Sequence, residues 1–241
     1  PTARAVKIEH VQESPKFLAR PDGTRSAASF PGYSIISPPW RDDPGSEAAY
    51  QPLQRCQEQI AATLGPEKFA IVPAASFHLT LADLIWDGAY REASSDPAFE
   101  GKLRDRVAET FDRYPNPASG PIDWQVLGLV VMTRAIAVAL APTTAQAYDR
   151  VIYLRRSLYQ NSQLMSMGIE QQYFFTAHVT LGYFGAVEEG LDRDRLNDTL
   201  SAASTQHLEA APPLRVDRAE LRKFDDMTHY YREDDWPVLR F

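Results

Sequence analysis

Two short segments carry the same pattern of side chains that can move protons and bind an anion. Residues 76–82 read Ser-Phe-His-Leu-Thr-Leu-Ala, and residues 176–182 read Thr-Ala-His-Val-Thr-Leu-Gly. Each segment places a histidine, His78 or His178, two residues before a threonine. Histidine changes charge near neutral pH, so it serves as a general acid or a general base. The repeated pattern therefore predicts paired acid–base chemistry, and a phosphate ester is the substrate that suits it.

The roles of the four side chains follow from that chemistry. One neutral imidazole takes a proton from water, while the other, as an imidazolium, gives a proton to the leaving oxygen. The hydroxyls of Thr80 and Thr180 can donate hydrogen bonds to the non-bridging phosphate oxygens. Two histidines in opposite protonation states predict a bell-shaped pH dependence of the rate. The sequence leaves open which of His78 and His178 is the base.

The repeated segments are predicted to lie on β-strands, over Phe77–Trp86 and Tyr173–Phe184. Because side chains alternate between the faces of a strand, each histidine and threonine shares a face with the hydroxyl residue before it, Ser76 or Thr176. Those hydroxyls are candidates to contact substrate or to hold a histidine tautomer; bonding to the local backbone is an equal alternative. The same alternation places Asp83 on the face opposite His78. Together with the lack of a Cys cluster or a His-Glu-x-x-His pattern, this predicts no metal site.

Other candidate binding residues are less specific. Arg134 lies in a predicted turn and can reach a phosphate, although a turn arginine is more often simply exposed. Tyr183 is a candidate to stack on a base, together with Tyr33, Tyr173 and Phe184. Most aromatic residues on strands belong to the hydrophobic core, which is the alternative for all four.

The elements around the motifs repeat in the same order. Apolar residues at helical spacing predict helices over Ser46–Leu64, from Asp96 to Phe111, from Thr143 or Thr144 to Leu164, and over Leu191–Ala203. Strands are predicted over Tyr33–Ser37, Phe69–Val72 and Leu214–Phe224, and an antiparallel hairpin over Val126–Met132 and Ala135–Ala141. The series strand, loop, helix, strand, helix, strand thus occurs twice, which predicts a duplicated chain.

The duplication predicts a single domain of two lobes that may exchange strands. We expect an irregular arm over residues 1–31, a lobe with the first motif over about 32–120, a lobe with the second motif over about 121–224, and a tail over 225–241. If the lobes are related by a pseudo-twofold axis, the polar faces of the two motif strands meet across one groove.

Composition limits the partners. The chain of 241 residues carries 25 basic and 32 acidic residues, a net charge of -7, which opposes binding to duplex DNA. Its longest apolar stretches are far shorter than the ~20 residues that span a bilayer, so we expect no membrane partner. The single cysteine, Cys56, cannot form an internal disulfide, and residues 1–10 lack the apolar segment of a secretory signal. We therefore expect a cytoplasmic monomer.

At the two His-x-Thr segments the chain resembles the 2H phosphoesterase superfamily, over about residues 32–224. The resemblance implies a duplicated, two-lobed α+β fold, in which two antiparallel sheets face a central groove, with helices outside. It also implies that His78 and His178 are the acid–base pair and that Thr80 and Thr180 contact the phosphate. The residues Lys16-Phe17, Asp22-Gly23 and Phe30-Pro31-Gly32 resemble a less-studied branch, for which no substrate is implied.

The leading hypothesis is a phosphodiesterase that needs neither metal nor cofactor. Its expected substrate is a cyclic or linear phosphodiester in a small nucleotide-like molecule, such as a 2',3'-cyclic phosphate, or at an RNA end. Two alternatives are a non-catalytic nucleotide- or phosphate-binding module on the same fold and an RNA end-joining ligase. The acidic net charge weighs against the ligase, since long RNA favours a basic groove.

Overall fold

The computed structural model describes residues 11–115, 120–187 and 191–241; the part of the predicted arm at residues 1–10 lies outside them. Within these ranges the strands are β1 (Phe17–Ala19), β2 (Arg25–Ala27), β3 (Gly32–Ile36), β4 (Phe69–Ile71), β5 (Thr80–Trp86), β6 (Ile122–Val131), β7 (Ala135–Pro142), β8 (His178–Phe184), β9 (Leu214–Val216), β10 (Arg218–Phe224), β11 (Tyr230–Tyr231) and β12 (Val238–Arg240). The α-helices are α1 (Glu47–Leu64), α2 (Asp87–Ala93), α3 (Phe99–Asp112), α4 (Ala145–Tyr159), α5 (Ser162–Met165) and α6 (Arg193–His207).

Two antiparallel sheets form the body of the protein. The first has the order β11-β10-β3-β5, with β12 also paired to β10, and the second has the order β4-β8-β7-β6-β9. The first motif leads into β5 and the second into β8, so each sheet carries one motif. The predicted α+β class with two antiparallel sheets is confirmed.

The chain crosses between the two sheets. β4, which precedes the first motif, pairs with β8 of the second sheet, and β10 pairs with β3 of the first. The strand predicted over Leu214–Phe224 is therefore two strands, since β9 pairs with β6 and β10 turns to the other sheet after Asp217. The two sheets therefore exchange strands, while the division into lobes over 32–120 and 121–224 stays a prediction.

The long helices pack on the outside of the sheets and largely follow the sequence pattern. α1 packs against α6, β4 and β8, while α4 packs against β5 and β7. The Thr144 side chain accepts a hydrogen bond from the Ala147 backbone amide and so caps α4, as predicted. The helix predicted to continue to Leu164 ends at Tyr159, because Asn161 caps the separate short helix α5. α2 was missed by the sequence pattern.

The arm is more regular than predicted, because β1 and β2 form a hairpin. The Ser14 backbone amide donates to the Phe184 carbonyl at 2.8 Å, at the end of β8. The Arg25 side chain donates to the Glu67 carbonyl at 3.0 Å. These bonds fix the start of the hairpin, including Lys16, beside the two sheets. No helix of the described ranges is long and apolar enough to cross a membrane.

Candidate active site

Both motifs open onto one groove between the sheets. His78, Thr80, His178 and Thr180 all line the same cavity, whose volume is about 530 Å³. A cavity of this size suits a small organic ligand. The structure thus brings the four residues of the two motifs together.

The two histidines are held in the same tautomer. Nδ1 of His78 lies 2.7 Å from the carbonyl oxygen of Ser76, and Nδ1 of His178 lies 2.7 Å from the carbonyl oxygen of Thr176. A carbonyl oxygen only accepts hydrogen bonds, so Nδ1 is the donor in both contacts. This leaves Nε2 of each ring as the nitrogen that exchanges a proton with a bound molecule.

The segments before the histidines are not β-strands, although the sequence predicted strands there. Ser76 ends a single 3-10 turn after Pro73, and its hydroxyl donates to the Pro73 carbonyl at 2.7 Å. Thr176 lies in an irregular segment, and β8 begins only at His178. Alternation therefore does not apply before the histidines. It is the backbone carbonyls of Ser76 and Thr176, and not their hydroxyls, that fix the imidazoles.

A β-bulge follows each motif threonine. In the pairing of β5 with β3 one residue, Leu81, is extra between Thr80 and Ala82. The pairing of β8 with β7 has the same irregularity between Thr180 and Gly182. A bulge changes the alternation of faces, so residues three positions after each threonine return to the groove.

The bulges correct one prediction. Asp83 lines the groove together with His78 and Thr80, so its predicted placement on the opposite face is wrong. Its carboxylate accepts a hydrogen bond from the Ser34 hydroxyl at 3.1 Å. Tyr183 occupies the matching position after the second motif and also lines the groove.

The carbonyl at each bulge is bound by a side chain from a long helix. Arg155 of α4 donates to the Leu81 carbonyl at 2.6 Å. Gln57 of α1 donates to the Leu181 carbonyl at 2.6 Å and also to the Val72 carbonyl at 2.8 Å. Both donors are buried, which makes these bonds costly to break. Each bulge is thereby held by the helix that belongs to the other half of the sequence.

The environment of His78 disfavours its charged form. Its ring packs on Tyr230 of β11 with centroids 4.2 Å apart. The pKa of His78 is lowered to about 4, mainly by burial. The hydrogen bond to the Ser76 carbonyl raises this pKa, and the charges of His178 and Arg222 lower it. His78 is therefore neutral at physiological pH.

Lys16 is a groove residue that the sequence analysis did not select. Its ammonium group lies over the rings of Phe30 and Tyr183, at 4.5 and 5.3 Å from their centroids. Burial lowers the pKa of Lys16, the charge of Asp83 raises it, and the charge of Arg134 lowers it. The Lys16-Phe17 pair noted in the arm was the only signal for it.

The other candidates separate into groove and core residues. Arg134 lines the groove at its exposed edge, where it donates to the Gln12 side chain at 3.3 Å. Tyr173 lines the groove, as Tyr183 does. Tyr33 and Phe184 are completely buried, which agrees with the core alternative for these two residues.

A second compartment of about 680 Å³ adjoins the groove. The two share Lys16, Thr80, Asp83, Arg134, Tyr173 and His178. Thr176 and the exposed Phe174 line the second compartment only. Within the described ranges, no three His, Cys, Asp or Glu side chains are grouped closely enough to hold a metal ion.

A family model matches part of the chain. Residues 20–99 match the family described as "2H-phosphodiest: Domain of unknown function (DUF1868)". The match includes His78 and Thr80 and ends before the second motif. It confirms, for this part of the chain, the resemblance to the 2H phosphoesterases. A search of curated proteins finds no match.

A solved structure with a TM-score above 0.5 shares this fold, and other solved structures are similar at lower scores. A conserved protein of unknown function from Agrobacterium tumefaciens is similar with a TM-score of 0.66 and 16% identity, over 94% of each chain. LigT from Escherichia coli, complexed with 3'-AMP, has a TM-score of 0.45 and 17% identity, over 88% of this chain and 98% of that one. Usb1 from Kluyveromyces marxianus has a TM-score of 0.43 and 12% identity, over 88% and 98%.

Proposed function

We propose that this protein is a metal-independent phosphodiesterase that cleaves a cyclic or linear phosphodiester in a small nucleotide-like molecule or at an RNA end. The observation that carries the proposal is the pair of imidazoles in one groove. Each is fixed through Nδ1 by the carbonyl two residues before it and is followed by a threonine that lines the same cavity.

His78 is the general base in this proposal. A base must be unprotonated before the reaction, and the half-buried ring of His78, with its lowered pKa, meets that requirement. Nε2 of His78 takes a proton from a water molecule as the water oxygen forms a bond to phosphorus. The Tyr230 ring, 4.2 Å away between centroids, keeps the imidazole in place during the transfer.

His178 is the general acid. Its Nε2–H gives a proton to the leaving oxygen as the bond between that oxygen and phosphorus breaks. The reaction leaves His78 protonated and His178 neutral, and proton exchange with solvent restores the first state. His178 lies where the two compartments meet, so it is accessible to both a leaving group and solvent.

The remaining groove residues bind the phosphate. Thr80 and Thr180 donate hydrogen bonds to the non-bridging oxygens, where negative charge grows in the transition state. Lys16 and Arg134 add positive charge on the side shared by both compartments. These contacts come from the arm, both motifs and the β6–β7 turn, so the site needs the whole fold.

The test is product formation with EDTA present, from 2',3'-cyclic nucleotides, ADP-ribose cyclic phosphate and short oligonucleotides. Wild type is compared with His78→Ala and His178→Ala. His207→Ala is the matched control, because His207 bonds to Gln59 and does not line the groove. We expect each groove variant to lose at least 100-fold in kcat/KM, in line with a general acid or base, and the control to retain full activity.

The outcomes separate this proposal from its alternatives. Turnover that survives in both groove variants refutes the acid–base roles. Tight binding of a nucleotide without any product supports a binding module on the same fold. Joining of RNA ends, with an affinity that falls steeply with salt, supports the ligase alternative.

A further inference from the structure

We infer that Arg222 is a positioning residue for His78, because its guanidinium ties down both chain segments that hold this histidine in place. The inference rests on the proposed function, in which His78 is the base, and goes beyond it. Arg222 belongs to β10, is 5% exposed and does not line the groove. It therefore acts on the reaction only through other residues.

The first of these segments is the loop between β3 and α1, which bonds to the backbone on both sides of His78. The Trp40 amide donates to the Phe77 carbonyl at 2.9 Å. The Ser37 amide donates to the Leu79 carbonyl, and the Ser37 hydroxyl accepts from the Leu79 amide, each at 2.9 Å. Because Phe77 and Leu79 flank His78, any displacement of this loop moves the histidine.

The second segment is β11, in the tail. Its residue Tyr230 packs on the imidazole of His78, with ring centroids 4.2 Å apart. β11 has only two residues and pairs with β10 at Lys223 and Phe224. So short a ladder contributes few hydrogen bonds, and the position of the Tyr230 ring depends on further contacts.

A single guanidinium joins the two segments. Nη1 of Arg222 donates to the Asp42 carboxylate at 2.6 Å, in the loop, and to the Tyr230 carbonyl at 3.2 Å, in β11. Nε and Nη2 donate to the Glu220 carboxylate at 2.8 and 2.5 Å and so fix the plane of the guanidinium. Only the planar fork of arginine can make this set of bonds, since the ammonium group of lysine is a compact point charge.

Stability alone does not account for this network of charges. Glu220 is 3% exposed, and its other carboxylate oxygen accepts from Arg218 at 2.8 Å. Buried ions lose their hydration, and apolar residues of similar volume are often as stable or more stable in their place. What the network does supply is a fixed position for the loop at Asp42 and for the ring of Tyr230 beside the base.

The charge of Arg222 also favours the neutral imidazole that a base requires. The titratable groups that line the groove with His78 are Lys16, Asp83, His178, Tyr183 and Tyr230. From outside the groove, the positive charge of Arg222 lowers the pKa of His78, as the charge of His178 does. Removing Arg222 should therefore raise the pKa of His78.

The first experiment measures the pKa of His78 by NMR, from the imidazole signals of protein labelled at histidine. The signal of His78 is identified by its absence in His78→Asn. Wild type is compared with Arg222→Met, Arg222→Lys and Arg218→Met. Arg218 is the matched control, because it bonds to the same Glu220 carboxylate and does not line the groove.

We expect the pKa of His78 to rise from about 4 in wild type to about 5 or above in Arg222→Met. Arg222→Lys keeps the charge and should stay near the wild-type pKa, and Arg218→Met should leave it unchanged. A pKa that remains at about 4 in Arg222→Met overturns the inference. Because the titration needs no substrate, this result counts whether or not the protein is a phosphodiesterase.

A second variant keeps the test decisive if Arg222→Met does not fold. The double variant Arg222→Met, Glu220→Met removes both buried charges, so neither is left without its partner. The pKa of His78 should rise here too, because the charge of Arg222 acts on His78 and is lost. An unchanged pKa in the double variant also overturns the inference.

The second experiment measures kcat and KM as a function of pH for a phosphodiester that wild type cleaves. The acidic limb of kcat/KM follows the pKa of the base, so it should move to higher pH in Arg222→Met and stay in place in Arg218→Met. Both Arg222→Met and Arg222→Lys should lose roughly ten-fold or more in kcat, because neither can hold the loop and β11 together. KM should change by less than about three-fold, since Arg222 does not line the groove. A loss of kcat in Arg218→Met as large as that in Arg222→Met shows a merely structural role and overturns the inference.

Discussion

The neutral state of His78 has a consequence for stability that needs no substrate to observe. We take His78→Asn as the perturbation, because the Asn side-chain nitrogen can occupy the position of Nδ1 and keep the bond to the Ser76 carbonyl. The substitution removes the titrating ring and its packing on Tyr230 but keeps this hydrogen bond. Thr80→Ala, in the same groove, is the control without a titratable group.

The magnitude follows from the pKa of His78, which burial lowers from 6.5 to about 4. Because the folded protein disfavours the imidazolium, the unfolded chain binds the extra proton first as the pH falls. The contribution of the neutral His78 ring to the free energy of unfolding is therefore fully present above pH 6.5 and is lost as the pH falls from 6.5 to about 4. Each pKa unit corresponds to about 1.4 kcal/mol, so the loss between pH 7 and pH 5 is at most about 2 kcal/mol.

The assay is urea denaturation at pH 7 and pH 5 for wild type, His78→Asn and Thr80→Ala. We expect the free energy of unfolding of His78→Asn to fall about 2 kcal/mol less than that of wild type between the two pH values. Thr80→Ala should show the full wild-type fall. If His78→Asn and wild type fall by the same amount, His78 is not held neutral by the fold, and its assignment as the base is refuted.

Three further predictions concern the residues that position the groove. Gly182→Ala places a Cβ 2.6 Å from the ring of a neighbouring phenylalanine and 2.7 Å from a backbone oxygen. Urea denaturation should show that the free energy of unfolding falls by about 1–3 kcal/mol. Gly88→Ala is the control and should show no such fall, because a Cβ at that position meets open space. Arg155→Met leaves a buried carbonyl at the first bulge unpaired and should lower the free energy of unfolding by about 1–3 kcal/mol in the same assay. An unchanged free energy would contradict the role of this bond. Lys16→Met should raise KM for a phosphodiester roughly ten-fold or more, because the charged contact to the phosphate is lost. Steady-state kinetics measures this change. Lys102→Met is the control on the exposed surface and should leave KM unchanged.

The features that the sequence predicted best are those set by local patterns. Apolar periodicity located α1 to within one residue of its start, and Thr144 was identified as a possible cap of α4. The hairpin of β6 and β7 followed from two apolar runs joined at Thr133-Arg134. Repetition of His-x-Thr located the four residues that meet in the groove.

The features that it missed depend on tertiary contacts. Nothing in the local sequence marks Leu81 as the extra residue of a bulge, because the bulge is stabilised by Arg155 from a distant helix. The simple alternation of a regular strand therefore put Asp83 on the wrong face. Lys16 was missed for the same reason, since the arm reaches the groove through its bond to the end of β8.

The proposed mechanism raises the question of how two histidines in duplicated motifs come to differ. Repetition makes the local geometry the same, as the two Nδ1 contacts of 2.7 Å show. The difference comes from parts of the chain outside the repeat. β11, in the tail, places Tyr230 against His78, while the irregular segment before β8 opens the second compartment beside His178. One ring is thereby kept neutral, and the other lies at the junction of the two compartments. In the proposed mechanism the repeat supplies the two imidazoles, and their different surroundings make one the base and the other the acid.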